Sequence, residues 1–180
     1  MKKEEKIIIN LSIRYILLLF IAFNLNYIYQ IFTPLTLSLS NFLINFFYSN
    51  SYILNSTSIS VNNSQITLIP ACIAGSAYLF LIILNLSTKM SIKKRIGSLI
   101  SILSSFLIVN SIRISFLAYL FDSGKDYFNL SHEISWYLGS TLILLLIWFV
   151  NIKLFKIKDI PIFTDSKYLL SQIKNKTKEL

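Results

Sequence analysis

Residues 96–121 read IGSLISILSSFLIVNSIRISFLAYLF, twenty-six positions with one charged side chain, Arg113. A helix needs about 20 consecutive, mostly apolar residues to cross a hydrocarbon core, so this stretch crosses with enough length to tilt. Directly before it stand Lys89, Lys93, Lys94 and Arg95. Short loops rich in Lys and Arg stay on the cytoplasmic side, so this helix starts inside and ends outside.

Working outward, three more segments are long and apolar enough to cross: about 15–32, 70–88 and 132–152. The chain then reads as an all-α integral membrane protein of four transmembrane helices, one domain over residues 1–180, with no internal repeat or linker. Fifteen of its seventeen basic residues fall on one side of that topology, at the N-terminus, in the 89–95 loop and in the basic tail 153–180. Both termini are therefore expected inside. The segment 33–69 is expected outside, because a crossing at LTLSLSNFLINFFYSNSYIL (35–54) would carry the Lys93-Lys94-Arg95 loop across. There the reading is an interfacial helix near Asn41 to Tyr48, its rings at headgroup depth, and then a small hairpin where SISVNNSQITL alternates around Asn62-Asn63.

Composition narrows the function. A chain of 54% hydrophobic residues with a formal charge of +9 suits a small membrane protein with basic ends, not a soluble domain. One cysteine excludes an internal disulfide, and one histidine beside it leaves no set of ligands for a zinc or haem centre, so no metal and no cofactor is expected. The basic tail suits anionic headgroups of membrane lipids, and nothing in it reads nucleic acid. The first apolar stretch lacks a small-residue cleavage site and reads as a retained anchor.

The topology brings three rare side chains to one depth. Cys72 follows Pro70, a residue suited to the first turn of a helix, and so sits at the outer end of the second span. Arg113 lies 17 residues beyond Ile96, about 25 Å up the third span. His132 follows Ser131, an expected N-cap, in the first turn of the fourth span. Taken singly, each has a plainer reading: a small buried hydrophobe, a snorkelling cation, an interfacial imidazole. Together they read as a site, because the topology was fixed from other residues.

Their chemistry is coherent. A thiolate at a helix N-terminus is a nucleophile. His132 is expected as neutral imidazole, general base and then acid. Arg113 holds a thiolate or an oxyanion, and Asn110, three residues earlier on the same face, orients the guanidinium or donates to substrate. Gly75 and the neighbouring alanines leave room for another helix or chain near the sulfur. Glu133 is a weaker candidate for orienting His132, and Asp122 and Asp126 read as solvated loop carboxylates.

In this order, ACIAGS with Cys72, NSIRIS with Asn110 and Arg113, and SHEISWYLG with His132 and Gly139 resemble the exosortase/archaeosortase family of membrane cysteine transpeptidases. The likeness covers about residues 69–139 and is closest to small archaeosortase-like members, although the cysteine motif here is Cys-x-x-Gly, one residue longer than the commoner form. It implies a catalytic Cys72, Arg113 and His132 on the external face of the cell membrane. It also implies substrate proteins ending in a sorting signal: a short motif, an apolar span and a basic tail. The thiolate would cleave near the motif, form a thioester and pass the chain to an external acceptor. Two rivals stand beside this: a protease that only hydrolyses, and a non-catalytic assembly or transport subunit whose Arg113 pairs with a partner helix.

Overall fold

A computed structural model describes residues 3–157, apart from 49, 63, 125, 126, 136, 138 and 139. It is mostly helical. In chain order the elements are α1 (Lys3–Phe23), α2 (Leu25–Ile44), β1 (Ser51–Asn55), β2 (Ser58–Val61), β3 (Ser64–Thr67), α3 (Pro70–Ile73), α4 (Gly75–Ser87), α5 (Ile92–Asp122), α6 (Phe128–Ile134) and α7 (Ser140–Phe155). Gly139, Trp136, Lys125, Asp126 and most of the basic tail lie outside the described residues.

The central helix is α5, which packs against α2, α4, α6 and α7. Its buried positions include Ser98, Ile102, Phe106, Asn110, Ile114 and Ala118, one every fourth residue. Four residues advance a helix slightly more than one turn, so this stripe winds slowly round the helix and meets different neighbours along its length. Near its start Ser98 Oγ accepts from Asn85 Nδ2 of α4 at 2.7 Å and from Asn151 Nδ2 of α7 at 2.6 Å. Near its end Ser115 Oγ donates to the Ser40 carbonyl of α2 at 3.2 Å.

Polarity runs from inside to outside in the manner of a lipid-embedded bundle. Asn85, Ser98, Asn110, Ser111, Ser115 and Asn151 are buried, while Ile100, Ile108, Ile112, Phe116, Leu142, Leu146 and Phe149 are at least half exposed. Water would oppose both choices; hydrocarbon favours both. The apolar core is centred on Tyr78, stacked on Phe32 at 3.7 Å and edge-on to Phe106 at 4.8 Å.

Among the described residues, two helices are long and apolar enough to cross a membrane, Pro70–Ser87 and Ile92–Asp122. A third span results if the pair Leu11–Phe23 and Leu25–Ile44, bent by 61°, counts as one. This revises the expected first span. The helix breaks at Asn24, whose Nδ2 donates back to the Phe20 carbonyl at 2.8 Å in place of the continuing backbone bond. It then runs on through Pro34 to Ile44, past the expected end. Pro34 removes one backbone donor, a loss that membrane helices tolerate. The separate interfacial helix near Asn41 to Tyr48 does not form: 41–44 is the last turn of α2 and 45–47 turns out of it.

The all-helical expectation is corrected by a three-stranded antiparallel sheet of order β1-β2-β3. The hairpin expected at Asn62-Asn63 is its β2–β3 half, with Asn62 at φ 49 in the turn. Asparagine tolerates that conformation, which explains its place there. The third strand, β1, comes from the apolar segment before the hairpin, and Ser51 Oγ ties it to α2 by donating to Asn45 Oδ1 at 2.6 Å. Central β2 buries Ile59 and Val61 completely. Asn62 Nδ2 donates to Asp122 Oδ2 at 3.0 Å, so the turn is held against the end of α5 and Asp122 is not a free loop carboxylate.

The expected fourth span is shortened. Residues 128–134 form α6, and the apolar helix that follows, α7, has 16 residues. At 1.5 Å per residue that is about 24 Å, less than a hydrocarbon core of about 30 Å.

Candidate active site

The site begins with a backbone fault. Pro70 starts α3 from the extended residue Ile69, as expected. The helix lasts one turn, however, because Ala74 adopts φ 58, ψ 46, and α4 starts afresh at Gly75. A non-glycine residue in the left-handed region costs of order 1–3 kcal/mol. The break also strands the carbonyls of Cys72 and Ile73, which a continuous helix would have satisfied four residues on.

Both carbonyls are met from α5. Asn110 Nδ2 donates to the Cys72 carbonyl at 3.0 Å and lies 3.5 Å from the Ile73 carbonyl. Arg113 Nη2 donates to the Cys72 carbonyl at 3.4 Å. The Asn-x-x-Arg spacing puts both donors on one face, aimed at the backbone of the cysteine turn. Asn110 is thus a clamp on the main chain of Cys72, a role the sequence alone did not suggest. A single turn provides little of the helix-end field expected to favour the thiolate, which leaves Arg113 as the nearby cation.

Cys72 carries a free, partly buried thiol. Cys72, Arg113 and His132 line one cavity of about 30 Å³, walled by Ile69, Ala71, Ile114, Leu117 and Ser135. That is room for one water or one substrate oxygen. Arg113 Nε is buried and has no hydrogen-bond partner among the described residues. A buried, unpaired guanidinium N–H is expensive to leave so, and it is the kind of donor that a developing oxyanion satisfies.

His132 reaches the cavity from a different setting than expected. It lies in the last turn of α6, and Ser131 is inside that helix, donating its N–H to the Tyr127 carbonyl at 2.9 Å. Ser131 is therefore no N-cap, and the helix-start argument for neutral imidazole does not hold. Gly124, φ 59, closes the turn that ends α5, and α6 already begins at Phe128, four residues before the expected start. Phe128 then packs on Phe121 at 5.3 Å, and the His132 ring stacks on Phe128 at 5.9 Å. Glu133 is exposed.

Gly75 serves packing. A Cβ there would stand 2.6 Å from the Tyr29 ring, so the helix passing close to the cysteine turn is α2. Sequence reasoning missed Ser135, which lines the cavity and donates Oγ to the His132 carbonyl at 3.0 Å, and Phe128, the ring beneath the histidine. The Phe-x-x-x-His spacing, one helical turn, was the available signal for the second.

No family model, no curated protein and no solved structure matches this chain.

Proposed function

We propose that the chain is a multi-pass membrane cysteine transpeptidase of the archaeosortase-like kind, with its site on the external face of the cell membrane. One observation carries the reading: Cys72, Arg113 and His132, from three separate elements, line a single cavity, and Arg113 keeps a buried Nε–H with no hydrogen-bond partner among the described residues. The four-span topology with both termini inside belongs to the proposal. Its spans are the bent α1–α2 pair, Pro70–Ser87, α5 and the apolar region that contains α7.

In the first half-reaction His132 takes the thiol proton and Sγ attacks the scissile carbonyl carbon, forming a C–S bond. The negative oxygen of the tetrahedral intermediate accepts from Arg113, whose charge is permanent. The intermediate collapses, the C–N bond breaks, and the leaving amine takes the proton from His132. In the second half, an acceptor nucleophile gives its proton to His132 and attacks the thioester. The C–S bond breaks, and the proton returns to sulfur. Water as acceptor gives hydrolysis; an amine gives transfer. Substrates are proteins with a C-terminal motif, an apolar span and a basic tail.

The test is to trap the Cys72 thioester and identify the attached chain by mass spectrometry. Cys72→Ala should abolish processing at normal abundance of the protein, and Cys72→Ser should be nearly as damaging, since a hydroxyl is far less ionised than a thiol near neutral pH. Substantial processing by the alanine variant would end the proposal. The assembly-subunit reading keeps one point in its favour, the unpaired Arg113 Nε, which a partner's carboxylate would also satisfy.

A further inference from the structure

A second, larger groove of about 250 Å³ opens beside the small cavity and shares Ile69, Cys72, Ile114, Leu117 and His132 with it. One wall is α5 and α6; the other is the unbroken run Gln65 to Ile69. Alternate residues of a strand face opposite sides, so a groove touching Gln65, Ile66 and Thr67 of β3 in succession, and Leu68 and Ile69 just beyond it, runs along the strand's edge and not beneath one face. Among the described residues that edge is free, because β3 pairs with β2 alone.

The ladder shows which groups it offers. Leu68 N–H donates to the Thr57 carbonyl at 2.8 Å. Hydrogen-bonded pairs alternate in an antiparallel ladder, so Ile59/Ile66 and Val61/Ser64 are the bonded ones. Gln65 and Thr67 therefore turn their N–H and C=O groups away from β2. The side-chain contact of Ser58 and Thr67, 3.1 Å between hydroxyls, fits the closer, non-bonded pair.

From this we infer that β3 is the docking strand for substrate, which enters as an extended segment, pairs with Gln65 and Thr67 as a fourth strand, and so delivers its scissile bond to Cys72. The occupant follows from the site. An unpaired strand edge is satisfied by another extended backbone. The groove's Ile66, Leu68, Ile114, Leu117, Ala118 and Phe121 accept apolar side chains. Its length, five residues or about 16 Å, suits a short motif. The groove is continuous with the catalytic cavity, so whatever lies on β3 leads to the thiol. The inference rests on the reading of Cys72 as a nucleophile.

Two probes separate the claims: iodoacetamide, which has no backbone to pair, and acetyl-Val-Ala-Leu vinyl sulfone, which does. Both alkylate Cys72, followed by mass spectrometry of the full-length protein in detergent. Gln65→Pro removes an outward N–H and leaves the β2 ladder intact. It should slow the peptidyl probe about three- to tenfold, the worth of one backbone hydrogen bond, and leave iodoacetamide within about twofold. Probes N-methylated at each amide in turn test the unaltered chain. At least one methyl group should cost a similar factor, because it removes a probe N–H that would donate to an outward carbonyl of β3. If Gln65→Pro fails to fold, the N-methyl series alone decides. A reactive Cys72 that takes methylated and unmethylated probes equally fast overturns strand docking and spares the nucleophile. A Cys72 inert to both probes overturns the nucleophile and this inference with it.

Discussion

Arg113 and Ala74 are where single side chains decide most. Arg113 has its Nη2 on the Cys72 carbonyl and its Nε unpaired. Lysine keeps a charge but cannot hold the carbonyl and still present a second donor in a fixed fork. Arg113→Lys should therefore lower turnover at least about tenfold while substrate still co-purifies, measured as processing rate against substrate bound, because losing one oxyanion donor typically costs 10²–10³. Near-normal processing would make Arg113 a structural charge. Ala74 stores strain that glycine would not, so Ala74→Gly should stabilise the folded chain by about 1 kcal/mol in thermal unfolding in detergent. An unchanged or lower transition temperature would mean that the left-handed turn carries no strain.

Between elements, the close approach of α2 to the cysteine turn makes the next prediction. Gly75→Ala puts a methyl group into the Tyr29 ring, a clash that should cost about 1–3 kcal/mol. Tyr29→Ala in the same chain should recover most of it, because the space reopens. Equal losses in the single and double variants would show that the two do not meet. How much of this was legible in the residues depends on the kind of signal. Arg113 and Asn110 share a helical face by spacing alone, and α5 is an unbroken apolar helix, so both were readable. Cys72 beside Pro70 was readable as a helix start. The break after it was not, because alanine carries no signal for a left-handed turn. His132 was readable as a site candidate but not in its setting. Ser131 looks like a cap, and only the observed helix shows that it had begun four residues sooner, at Phe128. β1 was hidden for a different reason: SYILN is apolar and short, a pattern shared by strands and membrane segments alike.

For the whole molecule, the distribution of polarity and the distribution of charge are separate arguments that meet in one orientation. Buried asparagines and serines on α4, α5 and α7 beside exposed isoleucines, leucines and phenylalanines describe a bundle solvated by lipid. The basic residues at the α4–α5 junction then give direction. Arg95, in the first turn of α5, folds back and donates to the carbonyls of Asn85 at 3.1 Å, Leu86 at 3.0 Å and Thr88 at 2.9 Å, tying the start of α5 to the end of α4. Carrying those charges across would cost far more than leaving them inside, so the proposed topology puts the opposite ends of α4 and α5, with the sheet and Cys72, outside. Labelling intact cells with a membrane-impermeant maleimide measures this. In a Cys72→Ala chain, a cysteine introduced by Asn62→Cys in the hairpin turn should react without lysis. One introduced by Ser91→Cys in the basic loop should react only after permeabilisation, and both positions are exposed in the fold. Cys72 itself should follow the hairpin. The reverse pattern would invert the orientation and move the site to the cytoplasmic face. Labelling of both positions without lysis would mean that α4 and α5 do not cross as a pair, and the four-span topology would fall with them.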